Sequence, residues 1–268
     1  MAKKKDPSVT FLNRFGYNVV KLPRAGIEPL DLIGRDDTTQ WLGPLASVWA
    51  SNVATPPPSA PRPAAPVNGQ KTDQLQVGFG LKILANALAA FGATVPSLDF
   101  AFTRARKVQF SYTNVTSTVV SPLEAGNYLA AGKLNTANPV VTHYLTGEDA
   151  QAFLILDVLK SDSLTVTASD EQGGEIGLDV PAIQGLVGAN VKVKPSSASN
   201  STLTFTGQTP VTFGFVVSEI EFDGAHWSLQ GAAPSGGLAF GAGAVAGGGA
   251  GVAADVPVLL GSGCRVRI

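Results

Sequence analysis

Leu81, Leu84, Leu88 and Phe91 follow one another at steps of three and four, and Gly92 stands where a helix would stop, so the pattern predicts an amphipathic helix over residues 80–91. A second helix is marked by its capping chemistry. Ser121-Pro122-Leu123-Glu124 joins a capping box to a proline at the first helical position, which predicts a helix over 122–131 closed by Gly132. Shorter helices are expected over 8–15, where Ser8 caps Phe11, Leu12 and Phe15 ahead of Gly16, and over 179–186. One more, capped by Asp37 or Thr38 and kinked or delayed by Gly43-Pro44, is expected to turn Trp41, Leu42, Leu45, Val48 and Trp49 into the core.

Elsewhere the apolar positions alternate with polar ones. Tyr17, Val19 and Leu22 predict a strand that ends in the turn Pro23-Arg24-Ala25-Gly26, and the apolar stretch 29–33 then reads as irregular. Leu98, Phe100 and Phe102 predict one strand, and Val108, Phe110 and Tyr112 another, with Arg104, Arg106 and Lys107 between them. The runs 153–159 and 164–168 flank Lys160-Ser161-Asp162-Ser163, which reads as a polar turn, and 202–206 is a further strand. Val211, Phe213, Phe215 and Val217 keep period two, then Ile220 and Phe222 resume it one residue out of step, the pattern a β-bulge produces. Helices and strands mixed in this way predict an α+β protein.

Two segments fit neither period. Pro56, Pro57, Pro58, Pro61, Pro63 and Pro66 crowd 55–66, which predicts an extended surface loop. The pattern fades near Trp227, and the division that follows is a body over 1–230 and a tail over 231–268, first a Gly/Ala-rich tether and then the apolar string Val256, Val258, Leu259 and Leu260. Residues 228–254 carry no charge and are long enough to cross a bilayer, but glycine and alanine supply little transfer free energy and Pro234 interrupts a helix, so a transmembrane helix is not expected.

A net charge of -1 with 15% charged residues gives no general attraction to nucleic acid. One cysteine, Cys264, excludes an internal disulfide and a cysteine-based zinc site. Lys3, Lys4 and Lys5 run into Asp6-Pro7 where an apolar signal core would be needed, so export is not expected. His143 and His226 are the two histidines, too few for a metal triad. No cofactor, metal or catalytic residue is expected. The pairs Asp36-Asp37, Glu148-Asp149 and Asp170-Glu171 read as solvated turns and caps, and Gly241, Gly243 and Ala246 imitate a dinucleotide fingerprint without the strand and helix it requires. Lys3, Lys4, Lys5, Arg14, Lys21, Arg24 and Arg35 cluster in the first 35 residues; Lys3, Lys4, Lys5, Arg14 and Arg24 are the candidate membrane-surface contacts, each contributing about 1 kcal/mol against an anionic leaflet.

An apolar terminal string on a long tether implies a docked latch. Burying Phe240, Val256, Val258, Leu259, Leu260 and Ile268 would hold the tail at about 25 cal/mol per Å² of apolar surface, and the tether keeps its effective concentration high. The competing reading is a β-rich interaction module whose Pro-rich and Gly-rich segments are only linkers. A third, a hydrolase with an unrecognised site, would depend on His143 or His226.

Gly16-Tyr17-Asn18-Val19-Val20-Lys21-Leu22-Pro23-Arg24, Pro29-Leu30-Asp31-Leu32-Ile33 and Leu42-Gly43-Pro44-Leu45 together resemble the opening of a bacterial gasdermin. Gly80-Leu81-Lys82-Ile83-Leu84, Phe102-Thr103-Arg104-Ala105-Arg106-Lys107-Val108 and Pro210-Val211-Thr212-Phe213-Gly214-Phe215 resemble later parts of that family, and the resemblance spans about 8–227. It implies a twisted, mainly antiparallel central sheet with surrounding helices, held latent by a short C-terminal inhibitory peptide. A caspase-like or trypsin-like protease is then the expected partner, cutting between 225 and 241, around Gln230, Gly231, Gly237 and Leu238. The released body is expected to move from the cytoplasm to membrane lipid of the inner membrane, form a homo-oligomeric β-barrel pore and kill an infected cell as antiphage defence. Candidate membrane-spanning strands lie in 77–115 and 152–205: Phe100, Phe102, Val108, Phe110, Leu154, Leu156, Leu164 and Val166. Family members commonly carry a lipidated N-terminal cysteine, whereas Ala2-Lys3-Lys4-Lys5 stands here; either the basic terminus serves instead or the native terminus differs.

Overall fold

Backbone pairing joins thirteen strands of the described residues into one sheet. The computed structural model describes residues 12, 16–51, 55–65, 67–72, 74–93, 98–230, 239–240 and 265–267. In chain order the first strands are β1 Asn18–Arg24, β2 Asp31–Arg35, β3 Thr39–Pro44, and the two-residue β4 Arg62–Pro63 and β5 Leu75–Gln76. Helix α1 Val77–Ala90 leads through a 3-10 turn, Asp99–Phe102, to β6 Lys107–Thr113 and β7 Thr116–Val119. After α2 Pro122–Ala131, a short helix Pro139–Val141 and a π-helical turn Thr142–Thr146 comes β8 Gln151–Ser169. Helix α3 Val180–Val187, β9 Lys192–Pro195, β10 Thr202–Phe222 and β11 Trp227–Gln230 follow, and the tail contributes β12 Ala239–Phe240 and β13 Arg265–Arg267.

Long strands β8 and β10, 19 and 21 residues, pair antiparallel from Thr202↔Thr167 to Ile220↔Ala152 and form the spine. The path across the sheet is β12-β1-β10-β8-β2-β3, with β6, β7 and β9 laid along the other half of the spine. Most pairings are antiparallel, and three buried clusters divide the core. The largest sits between the β6–β8–β10 face and helices α1 and α3, through Leu84, Leu88, Phe110, Val166, Ile183 and Phe205.

Local chemistry placed α2 where the capping box does: the Ser121 hydroxyl accepts from the Glu124 N–H and the Glu124 carboxylate answers the Ser121 N–H. Helices α1 and α3 also match their predicted positions, α3 with Asp179 as its cap. The proline segment is a surface loop whose ladder is confined to Arg62 and Pro63 against Ser117 and Thr116.

Five expectations need correction. The stretch read as irregular, 29–33, enters β2, because Leu32 and Ile33 pair with Leu154 and Phe153 and burial on both faces removes the alternation. The helix expected from residue 38 is β3 followed by a 3-10 turn, Leu45–Val48; the Asp36 carboxylate accepts from the Thr38 N–H at 2.8 Å and closes a hairpin instead of capping a helix. Trp49 lies in the core against Tyr128 and Trp227, but Trp41 is 39% exposed, its Nε1 donating to Asp31. The predicted strand through Leu98, Phe100 and Phe102 is the 3-10 turn. No turn forms at Lys160-Ser161-Asp162-Ser163: the buried Ser161 hydroxyl donates to the Ser163 carbonyl at 2.7 Å and accepts from its N–H, so a bulge lets polar chain continue as strand. The bulge expected after Val217 falls at Val216/Val217, opposite an extra residue on β8. The helix expected over 8–15 lies outside the described residues except for Leu12, which is buried.

Candidate functional site

Two regions carry the residues singled out from the sequence: the helix-covered half of the sheet and its tail-bearing edge. In the first, Val108, Phe110 and Tyr112 of β6 face Ala168, Val166 and Leu164 of β8 in register, and all six lie in the cluster under α1 and α3. The opposite face of these strands is polar. Gln109 and Ser111 face Thr167 and Thr165, and hydroxyl pairs Thr165–Thr204 at 3.0 Å and Thr167–Thr202 at 3.1 Å extend the row to β10. One sheet therefore already has an apolar face and a hydroxylic face, which is the alternation a membrane-spanning barrel requires.

The other candidates divide. Leu154 and Leu156 are buried in a different cluster, with Ile220 and Trp227, because the spine's bulges turn its faces over along its length. Phe102 is buried and Phe100 is 56% exposed, both on the 3-10 turn. Among the described residues no helix is long and apolar enough to cross a membrane.

At the other region, β12 pairs parallel with β1 through Val19↔Ala239 and Val20↔Phe240, and β13 pairs antiparallel with β11 from Ser228↔Arg267 to Gln230↔Arg265. Strands β1 and β11 both lie on the same flank of β10, opposite β8, so the tail adds two outer strands to one edge. Gln230 ends β11, and Arg24 ends β1 opposite Thr212. Gly231, Gly237, Leu238, Val256, Val258, Leu259, Leu260, Ile268, Lys3, Lys4, Lys5 and Arg14 lie outside the described residues. The docking of Arg265–Arg267 was missed, since one β-branched residue between two arginines is too short a signal to read as a strand.

Between the two regions sits a half-buried carboxylate. Asp157 of β8 accepts from the Tyr17 hydroxyl at 2.6 Å and the Ser117 hydroxyl at 2.7 Å, tying the start of the chain to β7 and β8. Burial pushes its carboxyl above the usual range, against the pull of those hydroxyls, and pushes the Tyr17 phenol up as well. With the folded pKa above the unfolded one, the stability Asp157 contributes is complete below about pH 3.9 and is lost as pH rises through the raised value. Asp157→Asn keeps an acceptor for Tyr17 and a donor for Ser117, so it is expected to flatten the pH dependence of the urea midpoint and stay within ~1 kcal/mol at pH 7. Asp157→Ala strands both hydroxyls and is expected to lose about 1–3 kcal/mol. A pH profile unchanged by Asp157→Asn would rule out this assignment.

His143 lies apart from both regions, whereas His226 immediately precedes β11 at the tail-bearing edge. His143 Nε2 is 3.4 Å from Asp36 Oδ2, with its ring edge-on to Tyr144, and the exposed His226 has its Nδ1 3.8 Å from Asp223.

The family model described as the Bacterial Gasdermin Family matches residues 20–231. A gasdermin bGSDM of Vitiosangium sp. (strain GDMCC 1.1324) is 41% identical over 222 residues, 80% of this chain and 81% of that one. Another, from Lysobacter enzymogenes, is 34% identical over 238 residues, 87% of each chain. The solved structure of a bacterial gasdermin from Bradyrhizobium tropiciagri matches with a TM-score of 0.61 at 19% identity, over 84% of this chain and 90% of that one, a likeness of fold.

Proposed function

Because this chain belongs to the bacterial gasdermin family, and is therefore a latent pore-forming protein and not an enzyme, we propose that proteolysis within 231–238 activates it. The observation that carries the proposal is the tail's position. Residues 231–238 lie between β11 and β12, so a cut there separates the body from both tail strands that complete its edge. Both tail strands are short and lie at the sheet's edge, and without the covalent tether their effective concentration falls.

The released body binds membrane lipid, oligomerises and opens a β-barrel pore, since only a closed barrel satisfies strand backbone in lipid. Strands β6, β8 and β10 supply the spanning segments, with Val108, Phe110, Leu164 and Val166 turned to lipid and the threonine row to the lumen. Phe100 and Phe102 join them when the 3-10 turn extends. A caspase-like or trypsin-like protease makes the cut, the intact chain resides in the cytoplasm, and the pore kills an infected cell at its plasma membrane as antiphage defence.

Dye release from liposomes tests this reading on the full chain carrying a protease site between 231 and 238. The intact chain is expected to hold dye in and the cut chain to release it. Confirmed cutting with no release, across neutral and anionic vesicles, would move the protein to the interaction-module reading.

A further inference from the structure

Open strand edges invite pairing with another chain, and folded proteins blunt them with lysine, proline, shortness or a covering segment. Strand β9 carries exposed Lys192 and Lys194 and ends in Pro195. Strand β4 contains Pro63, and β5 is two residues long before it becomes α1. Three further edges carry fewer such guards. Strand β11, Trp227-Ser228-Leu229-Gln230, has neither charge nor proline; β1 has neither at Val19 and Val20 but carries Lys21, Pro23 and Arg24 beyond them; β3 is uncharged, with proline only at its last paired residue, Pro44, opposite Asp31. The tail covers two of them by pairing and lies beside the third. It pairs with β1 through β12 and with β11 through β13, and β12 also lies beside β3, at the far end of the same path across the sheet.

We propose that the edge formed by β1 and β11 is the surface on which a second copy of this chain adds, presenting its β3 edge in the place of the tail strands. The inference rests on the reading above that cutting lets the tail leave. Departure of β12 frees β1 at Val19 and Val20 and removes the segment beside β3, so each copy then presents two different strand edges. Pairing of one kind of edge with the other is heterologous, and a heterologous contact that repeats by rotation closes a ring, whereas like-with-like pairing would stop at a dimer. Strands β3 and β11 and the stretch of β1 at Val19 and Val20 carry no charged residue, which favours strand addition there over a contact made by side-chain charge.

Hydrogen exchange read by mass spectrometry tests this on the chain cut between 231 and 238, with particle mass and dye release followed in the same samples. Amides of 18–20 and 227–230 that face the tail are expected to exchange slowly in the intact chain, to open in the cut chain without lipid, and to become slow again in the assembled particle on vesicles, where those of 39–43 that face away from β2 become slow as well. An assembled, leaking particle whose 18–20 and 227–230 amides stay open overturns the edge. Protection there with 39–43 still open overturns β3 as the partner strand. A cut chain that neither leaks nor grows in mass overturns the proposed function itself.

Discussion

A chain in which cysteines at positions 80 and 108 tie α1 to β6 is expected to stay silent after its tail is cut and to leak once reductant is added. A Cβ built on Gly80 lies 3.4 Å from the Cβ of Val108, just under the separation a disulfide spans, about 3.5–4.5 Å. The same Cβ would lie only 1.9 Å from Val108 Cγ2, so glycine is what lets the helix lie this close to the sheet, and Val108→Cys removes the atom in the way. Closing a loop of roughly 29 residues stabilises the folded state by about 3–4 kcal/mol in the chain-entropy model. With Cys264→Ser to leave one possible pair, oxidised chain should unfold at higher urea and release no dye when cut. Leakage from the oxidised, fully cut chain would show that the sheet spans the bilayer without shedding α1.

Phe205→Ala is expected to lower the unfolding free energy by about 3–5 kcal/mol, as a fully buried aromatic removed from a packed core does. Phe205 pairs with Leu164 on β8 and Val193 on β9 and belongs to the cluster that holds α1 and α3 against the spine. The cavity weakens that interface while leaving the hydroxylic face untouched. After cutting, the variant should therefore leak with a shorter lag than the parent, and its urea midpoint should fall without a change in slope. A midpoint unchanged within error, or a longer lag, would contradict the role given to this cluster.

What could be read from the residues alone followed the range of the interactions. The capping box at Ser121 and Glu124 and the three-four spacing of Leu81, Leu84 and Leu88 are complete within a few residues, so α2 and α1 were legible. Strand β2 was not, because Leu32 and Ile33 owe their conformation to Leu154 and Phe153, more than a hundred positions away. Lys160-Ser161-Asp162-Ser163 has the composition of a turn, and only the hydrogen bonds closed by Ser161 keep it in β8. In the candidate site, the alternation of Val108 and Phe110 and of Leu164 and Val166 made β6 and the second half of β8 legible as strands, whereas their shared face under α1 and α3 appears only in three dimensions. The apolar string around Leu259 lies outside the described residues; of the two tail segments on the sheet, Ala239–Phe240 includes the expected Phe240, whereas Arg265–Arg267 is defined by the edge it completes and not by its own composition.

The length of the spine has a consequence for how register is chosen. A bilayer-crossing strand needs about 9–11 residues, and β10, at 21 residues, extends roughly 70 Å. Its first part, from Thr202↔Thr167 to Thr206↔Ser163, is aligned before any lipid is met, and the irregular stretch by Ser161 separates it from the part lodged in the remaining core. In the proposed pore, insertion would proceed by swinging a prealigned ladder about that joint, so strands within one chain need not search for partners inside the hydrocarbon, where every misaligned pair would leave backbone groups without hydrogen bonds.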